Sequence, residues 1–147
     1  MIQLERVNLH EIRLPLREPF RISSGVAHER RICLLELVDR SGVTSWSECV
    51  ARVRPDYTSE TVDICWFSLQ EWILPRVLGR SFDSAAEVFP AVHDGLRGHF
   101  MAKAAVEMGM WNLEARRRDL PLADLLGGER EQVPTGISLG IEIGRAS

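Results

Sequence analysis

Ala102–Gly128, AKAAVEMGMWNLEARRRDLPLADLLGG, is the stretch that decides the fold class. From about Met101 to Arg118, apolar and small residues recur at helical spacing. Ala102, Val106, Gly109 and Leu113 share one face, and Met108, Trp111 and Ala115 widen it. Arg116, Arg117 and Arg118 fall at the C-terminal end, where cations suit the helix dipole. Pro121 stops the helix, Leu122 to Leu126 give a short further turn, and Gly127-Gly128 close it. A helix with one apolar stripe needs a surface to cover.

The residues upstream supply that surface. Residues 2–14 alternate in short phases: Ile2 and Leu4, Val7 and Leu9, Ile12 and Leu14. Each change of phase predicts a bulge in a strand. Pro15 and Pro19 predict a break, and Phe20 to Gly25 a loop. Residues 30–38 form a second predicted strand with Cys33, Leu35 and Leu37 on one face; Asp39 to Gly42 turn the chain, and Val43 to Val50 return as a third strand. The period then becomes helical through Val62, Cys65, Trp66, Leu69, Trp72 and Ile73. Thr58 or Ser59 is placed to cap this helix, and Pro75 to end it. Ser84-Ala85-Ala86-Glu87 has the form of a capping box, followed by a helix lined by Val88, Val92 and Leu96, with Pro90 predicting a kink or an early end. Strands first and helices second predict an α+β fold: a three-stranded antiparallel meander covered by a helical bundle. After Gly128, Val133 to Ile143 is apolar enough to be a strand buried on both faces. The expected organisation is therefore residues 1–128 as one domain and 129–147 as a linker and the first strand of another.

Composition narrows the function classes. The 147 residues are 45% hydrophobic and 27% charged with a net charge of −3, which suits a globular domain and gives no basic field for nucleic acid. No apolar run approaches the roughly 20 residues of a membrane span, and the N-terminus lacks a signal-peptide pattern, so a cytoplasmic location is expected. Cys33, Cys49 and Cys65 lack metal-ligand spacing and are expected to be reduced and packed. His10, His28, His93 and His99 are scattered, which argues against a zinc site.

Four segments carry a resemblance that spans essentially the whole chain. They are Pro19-Phe20 through Gly25; Trp46-Ser47-Glu48-Cys49-Val50; Gly98 to Lys103 running into Ala105-Val106-Glu107-Met108; and Leu125 to Gly128 followed by Gly136-Ile137-Ser138-Leu139-Gly140. Together they resemble the N-terminal capping domain of the enolase superfamily, muconate-lactonizing subgroup, and within it the o-succinylbenzoate synthase and N-acylamino acid racemase families. Muconate cycloisomerases and dipeptide epimerases are the alternatives within the superfamily. The chain departs from the pattern in three places. Ser45-Trp46-Ser47-Glu48 stands where the family has G-W-G-E, Asn112 where it has Asp, and Ser24 where it often has an aromatic residue. The first two are expected to alter packing, the third the substrate pocket.

The resemblance implies abstraction of a proton next to a carboxylate, with Mg2+ in the complete enzyme stabilising the enediolate and lysines serving as acid and base. It also implies that those lysines and the three carboxylate ligands lie on later strands of a TIM-type barrel. Lys103, the only lysine, does not match them. The expected reading is an incomplete enzyme in which this chain supplies the substrate-specificity lid and holds no catalytic residue or metal ligand. The lid residues implied are Phe20, Ser23, Ser24 and Tyr57 on two loops, with Ser138 at the end of the first barrel strand. Read alone, Phe20 also fits a core anchor, Tyr57 a turn closure, Ser23 and Ser24 solvated turn positions, and Ser138 an ordinary strand position. The partner implied is a small carboxylate substrate, with no nucleic acid and no membrane, and a homo-oligomer in the complete form. A different class stays open: a non-catalytic α+β module using the Met108 and Trp111 face to bind a partner.

Overall fold

The computed structural model describes residues 1–22 and 25–137. Its sheet runs β3 (Thr44–Cys49), β2 (Gly25–Asp39), β1 (Ile2–Ile22), β4 (Ser81–Phe82), every pairing antiparallel. Strands β1 and β2 form a long hairpin, and β3 adds to β2. The predicted meander is present, and its first register irregularity falls between Leu4 and Arg6, where the hydrophobic phase changes. The hairpin is longer than the sequence predicts. Phe20–Ile22 pair with Gly25–Ala27 as strand, where a loop is expected. The prolines are accommodated because the pairing is irregular between Pro15 and Phe20, so no ladder bond is lost at Pro19. A fourth strand, β4 (Ser81–Phe82), pairs with Ile2 and Gln3; two residues carry no periodicity by which to foresee it.

Helix α1 (Val62–Ser68) starts at Thr61, whose hydroxyl accepts from the Ile64 N–H at 3.3 Å, so the cap lies beyond both expected candidates. It widens into a π-turn over Leu69–Ile73 and tightens at Leu74–Arg76, where Pro75 ends the run. Ser84 caps a 3₁₀ turn by accepting from the Ala86 N–H, and Glu87 accepts from the Asp83 N–H, one residue outside the expected box. Helix α2 (Val88–His93) ends early, as Pro90 predicts. Helices α3 (Phe100–Arg117) and α4 (Leu122–Leu125) match the opening stretch, with Gly127 at φ +75° closing α4. One expectation fails on α3: Met108 is 45% exposed and Met110 is buried in its place, because Met110 shares the arc of Ala102, Val106 and Leu113. Over 133–137 no strand forms and Val133 and Ile137 are exposed. A parallel barrel strand is held from both edges, and no described strand lies beside this segment. Residues 138–143 of that expected strand lie outside the described residues.

The core lies between the sheet and α3. Cys33, Leu35 and Leu37 of β2 face Ala102, Ala105, Val106, Gly109, Met110 and Leu113, with Val62, Cys65, Leu69, Phe82 and Val88 closing the edges. All three cysteines are buried and free. The first two departures from the family pattern sit in this seam. Ser45 Oγ donates to the Gly109 carbonyl at 2.9 Å, Ser47 Oγ to the Ala105 carbonyl at 2.6 Å, and Asn112 Nδ2 to the Trp46 carbonyl at 3.0 Å. The seam is close because position 109 has no side chain. A Cβ there would lie 2.6 Å and 2.9 Å from the two Leu37 Cδ atoms and 3.0 Å from Ser47 Oγ. Alanine in place of glycine favours a helix by about 1 kcal/mol, whereas overpacking a core costs about 1–3 kcal/mol. Leu37 is fully buried, so its methyl groups must shift within a packed core, and Gly109→Ala is expected to lose about 1 kcal/mol net. Urea unfolding checks this, and a stabilised variant would mean that Leu37 yields freely.

Candidate functional site

Strand register places the two expected loops. Leu4 pairs with Asp39 and Ile22 with Gly25, while Cys49 lies opposite Cys33. The chain therefore leaves β3 toward the same end at which β1 and β2 run on to the hairpin tip. Phe20 and the segment after Cys49 share that end of the sheet. Phe20 sits on β1 opposite Ala27 and is 48% exposed; Tyr57 is 83% exposed in the connection between β3 and α1. Phe20 is thus not a core anchor. No ring contact joins it to Tyr57 among the described residues. Ser23, Ser24 and Ser138 lie outside the described residues.

The β3–α1 connection is built from its two roots. Arg52 bridges to Thr61, and the Val62 N–H donates to the Arg52 carbonyl at 2.9 Å, so both ends of the arch are drawn together. Glu60 fixes the outgoing root to the rigid helix α3. Its carboxylate accepts from the Met101 N–H at 3.0 and 3.3 Å, where the positive end of the helix dipole favours an anion. Gly98 and His99 both adopt left-handed conformations, which turn the first N–H groups of α3 toward Glu60. His99 is held there by a 2.8 Å hydrogen bond with Ser68 and an edge contact with Trp72. Arg52 also reaches the tip: its guanidinium lies 3.3 Å from the Asp56 carboxylate and 5.4 Å from the centroid of the Tyr57 ring. Sequence reasoning missed Arg52 and Glu60 as holding residues. The i, i+4 spacing of Arg52 and Asp56 would signal a pair on a helix, but here it lies in a loop.

Lys103 and Glu107 both bond within the scaffold. Lys103 is buried, donates to the Leu96 carbonyl and lies 3.3 Å from His93 Nδ1; burial, together with the Arg76 charge, holds its amine below the ordinary lysine range. Glu107 accepts from the Trp111 indole N–H at 2.7 Å, a local bond within the helix. Burial pushes the Cys33 thiol up to about 12, which marks it as inert. Among the described residues, no three His, Cys, Asp or Glu side chains are placed to hold a metal ion. The described residues therefore do not fit a metal site. Nor is any described helix long and apolar enough to cross a membrane.

Comparison with known proteins agrees with this architecture. Residues 5–127 match the family described as Mandelate racemase / muconate lactonizing enzyme, N-terminal domain. The o-succinylbenzoate synthase of Bacillus subtilis is 37% identical over 141 residues, covering 96% of this chain and 38% of the relative. The N-succinylamino acid racemase of Thermus thermophilus is 38% identical over 141 residues, with the same two coverages. The crystal structure of an enolase superfamily member from Listeria innocua superposes with a TM-score of 0.90 at 28% identity, covering 98% of this chain and 38% of that one. An L-Ala-D/L-Glu epimerase and a muconate lactonizing enzyme also match, at 24% and 20% identity. The chain spans about 38% of the length of the curated relatives it matches.

Proposed function

The chain belongs to the mandelate racemase / muconate lactonizing enzyme family, as its N-terminal domain, and from that membership we infer that it is the capping domain of an o-succinylbenzoate synthase or N-succinylamino acid racemase. In this reading residues 1–128 are the cap and 129–147 lead into a barrel domain. The barrel supplies the lysines and the Mg2+ site; among the described residues of the cap no three side chains are placed to hold the ion. The observation that carries the reading is the family match over 5–127, joined to a sheet register that delivers two loop regions to one end.

The work of this chain is then to close over a small carboxylate substrate. Phe20 offers an apolar wall and Tyr57 a ring with a hydroxyl, both exposed and free to meet another surface. A cap of this kind excludes water from a reaction whose charge must be met by fixed dipoles and cations. Ser23, Ser24 and Ser138 complete the proposed substrate contacts.

The test joins residues 1–128 to the barrel of the Bacillus subtilis relative and compares Phe20→Ala and Tyr57→Ala with the parent fusion. Each is expected to lower kcat/KM for the succinyl substrate about 10-fold, or roughly 1.4 kcal/mol of transition-state stabilisation. Magnesium affinity by isothermal titration should not change. Unaltered kinetics in both variants, or a large loss of magnesium affinity, would mean that the wrong residues have been placed over the active site.

A further inference from the structure

The β3–α1 arch differs from an ordinary exposed loop in having one side chain that reaches from its root to its tip. The Arg52 backbone is fixed by the Val62 N–H and by its bridge to Thr61, and Thr61 in turn caps α1. Its side chain ends between the Asp56 carboxylate, at 3.3 Å, and the face of Tyr57, at 5.4 Å from the centroid. The outgoing root is held separately by Glu60 on the Met101 N–H. With both roots fixed, the tip's remaining freedom lies in residues 53–58, and Arg52 is the group seen to contact two of them. Asp56 matters as a clamp on the guanidinium, restricting the angles at which it can meet the ring.

We propose that Arg52 is a positioning residue for the lid: its guanidinium, held by Asp56, sets the orientation in which Tyr57 is presented to the substrate. The functional half of this rests on the capping-domain reading above; the structural half stands on this chain alone. Arg52 and Asp56 are 43% and 38% exposed, so water and salt weaken both contacts. Exposed ion pairs and cation–π contacts of this kind bias a local equilibrium by about two- to fivefold. That is too little to decide whether the domain folds, and enough to decide how often a side chain is ready.

Tyr57 is the only tyrosine, so the chain labelled with 3-fluorotyrosine gives one 19F resonance that reports this ring alone. In mildly acidic, low-salt buffer the folded chain should show that resonance displaced from its position in urea. Arg52→Ala should return it at least halfway toward the urea value, with the melting temperature unchanged. Arg52→Lys, which keeps a cation on the same backbone, should retain most of the displacement, and Asp56→Asn should fall between. An Arg52→Ala resonance coincident with the parent, or an Arg52→Lys resonance equal to that of Arg52→Ala, overturns the proposal. The lid reading fails separately: these shifts would appear as described, while Tyr57→Ala in the fused enzyme would leave kinetics untouched.

Discussion

Asp39→Ala is expected to lower the unfolding free energy of the chain at neutral pH by about 3 kcal/mol, the largest stability loss of any single side chain considered. Asp39 is fully buried at the end of β2. One carboxylate oxygen accepts from the Ser41 N–H at 2.9 Å, the Ser41 hydroxyl at 2.7 Å and the Val43 N–H at 3.0 Å. The other meets the Arg117 guanidinium at the end of α3. One group thus closes the β2–β3 turn and ties the main helix to it. Breaking a buried pair costs about 3–5 kcal/mol when the orphaned charge stays buried. Arg117 is 32% exposed and regains some hydration, which places the loss at the lower edge of that range.

The same carboxylate predicts a pH dependence. Burial pushes the Asp39 carboxyl up, but the hydrogen bonds from Ser41, Val43 and Arg117 outweigh it and hold the group below the ordinary range. A carboxyl whose folded value is depressed contributes stability that is present above the unfolded value, about 3.9, and is lost as pH falls through the folded value. The gap between the parent chain and Asp39→Ala should therefore be full at neutral pH and shrink as pH falls below about 4. Urea denaturation across that range measures both curves. A gap under about 1 kcal/mol at neutral pH, or one that widens in acid, would contradict the assignment.

Much of this fold is legible in the sequence because it repeats a period. The α3 stripe of Ala102, Val106, Gly109 and Leu113 and the alternation around Cys33, Leu35 and Leu37 announce a helix on a meander, and both elements are present. What lacks a period was hidden. The two residues of β4 depend on pairing with Ile2 and Gln3. The hairpin beyond Pro15 is a polar extension whose prolines resemble a break until the irregular pairing is seen. Long-range polar contacts were hidden for a different reason. Asp39 looks like a turn residue, and its partner Arg117 lies 78 positions away, in what looks like a solvated helix end.

The site divides the same way. Phe20 and Tyr57 were identified through resemblance, and the structure adds that register delivers their regions to one end of the sheet. Arg52 and Glu60 were invisible because their roles depend on where a loop turns, not on residue type. Ser45 and Ser47, which depart from the family pattern, prove to be bonds from β3 into the α3 backbone. Two donors in place of two glycines leave the seam polar but satisfied.

We propose that this chain is a cap which acts only with a barrel. The most direct measurement is the rate of magnesium-dependent dehydration of the cyclohexadiene precursor of o-succinylbenzoate. It is taken on three purified proteins from a host lacking the enzyme: the 147-residue chain, the barrel of the Bacillus subtilis relative, and the two joined after Gly128. Background rates are expected for each part alone, and a rate at least about 100-fold higher for the fusion, since excluding water and orienting substrate are worth several kcal/mol. Turnover by the 147-residue chain alone, or a fusion no faster than the bare barrel, would contradict it.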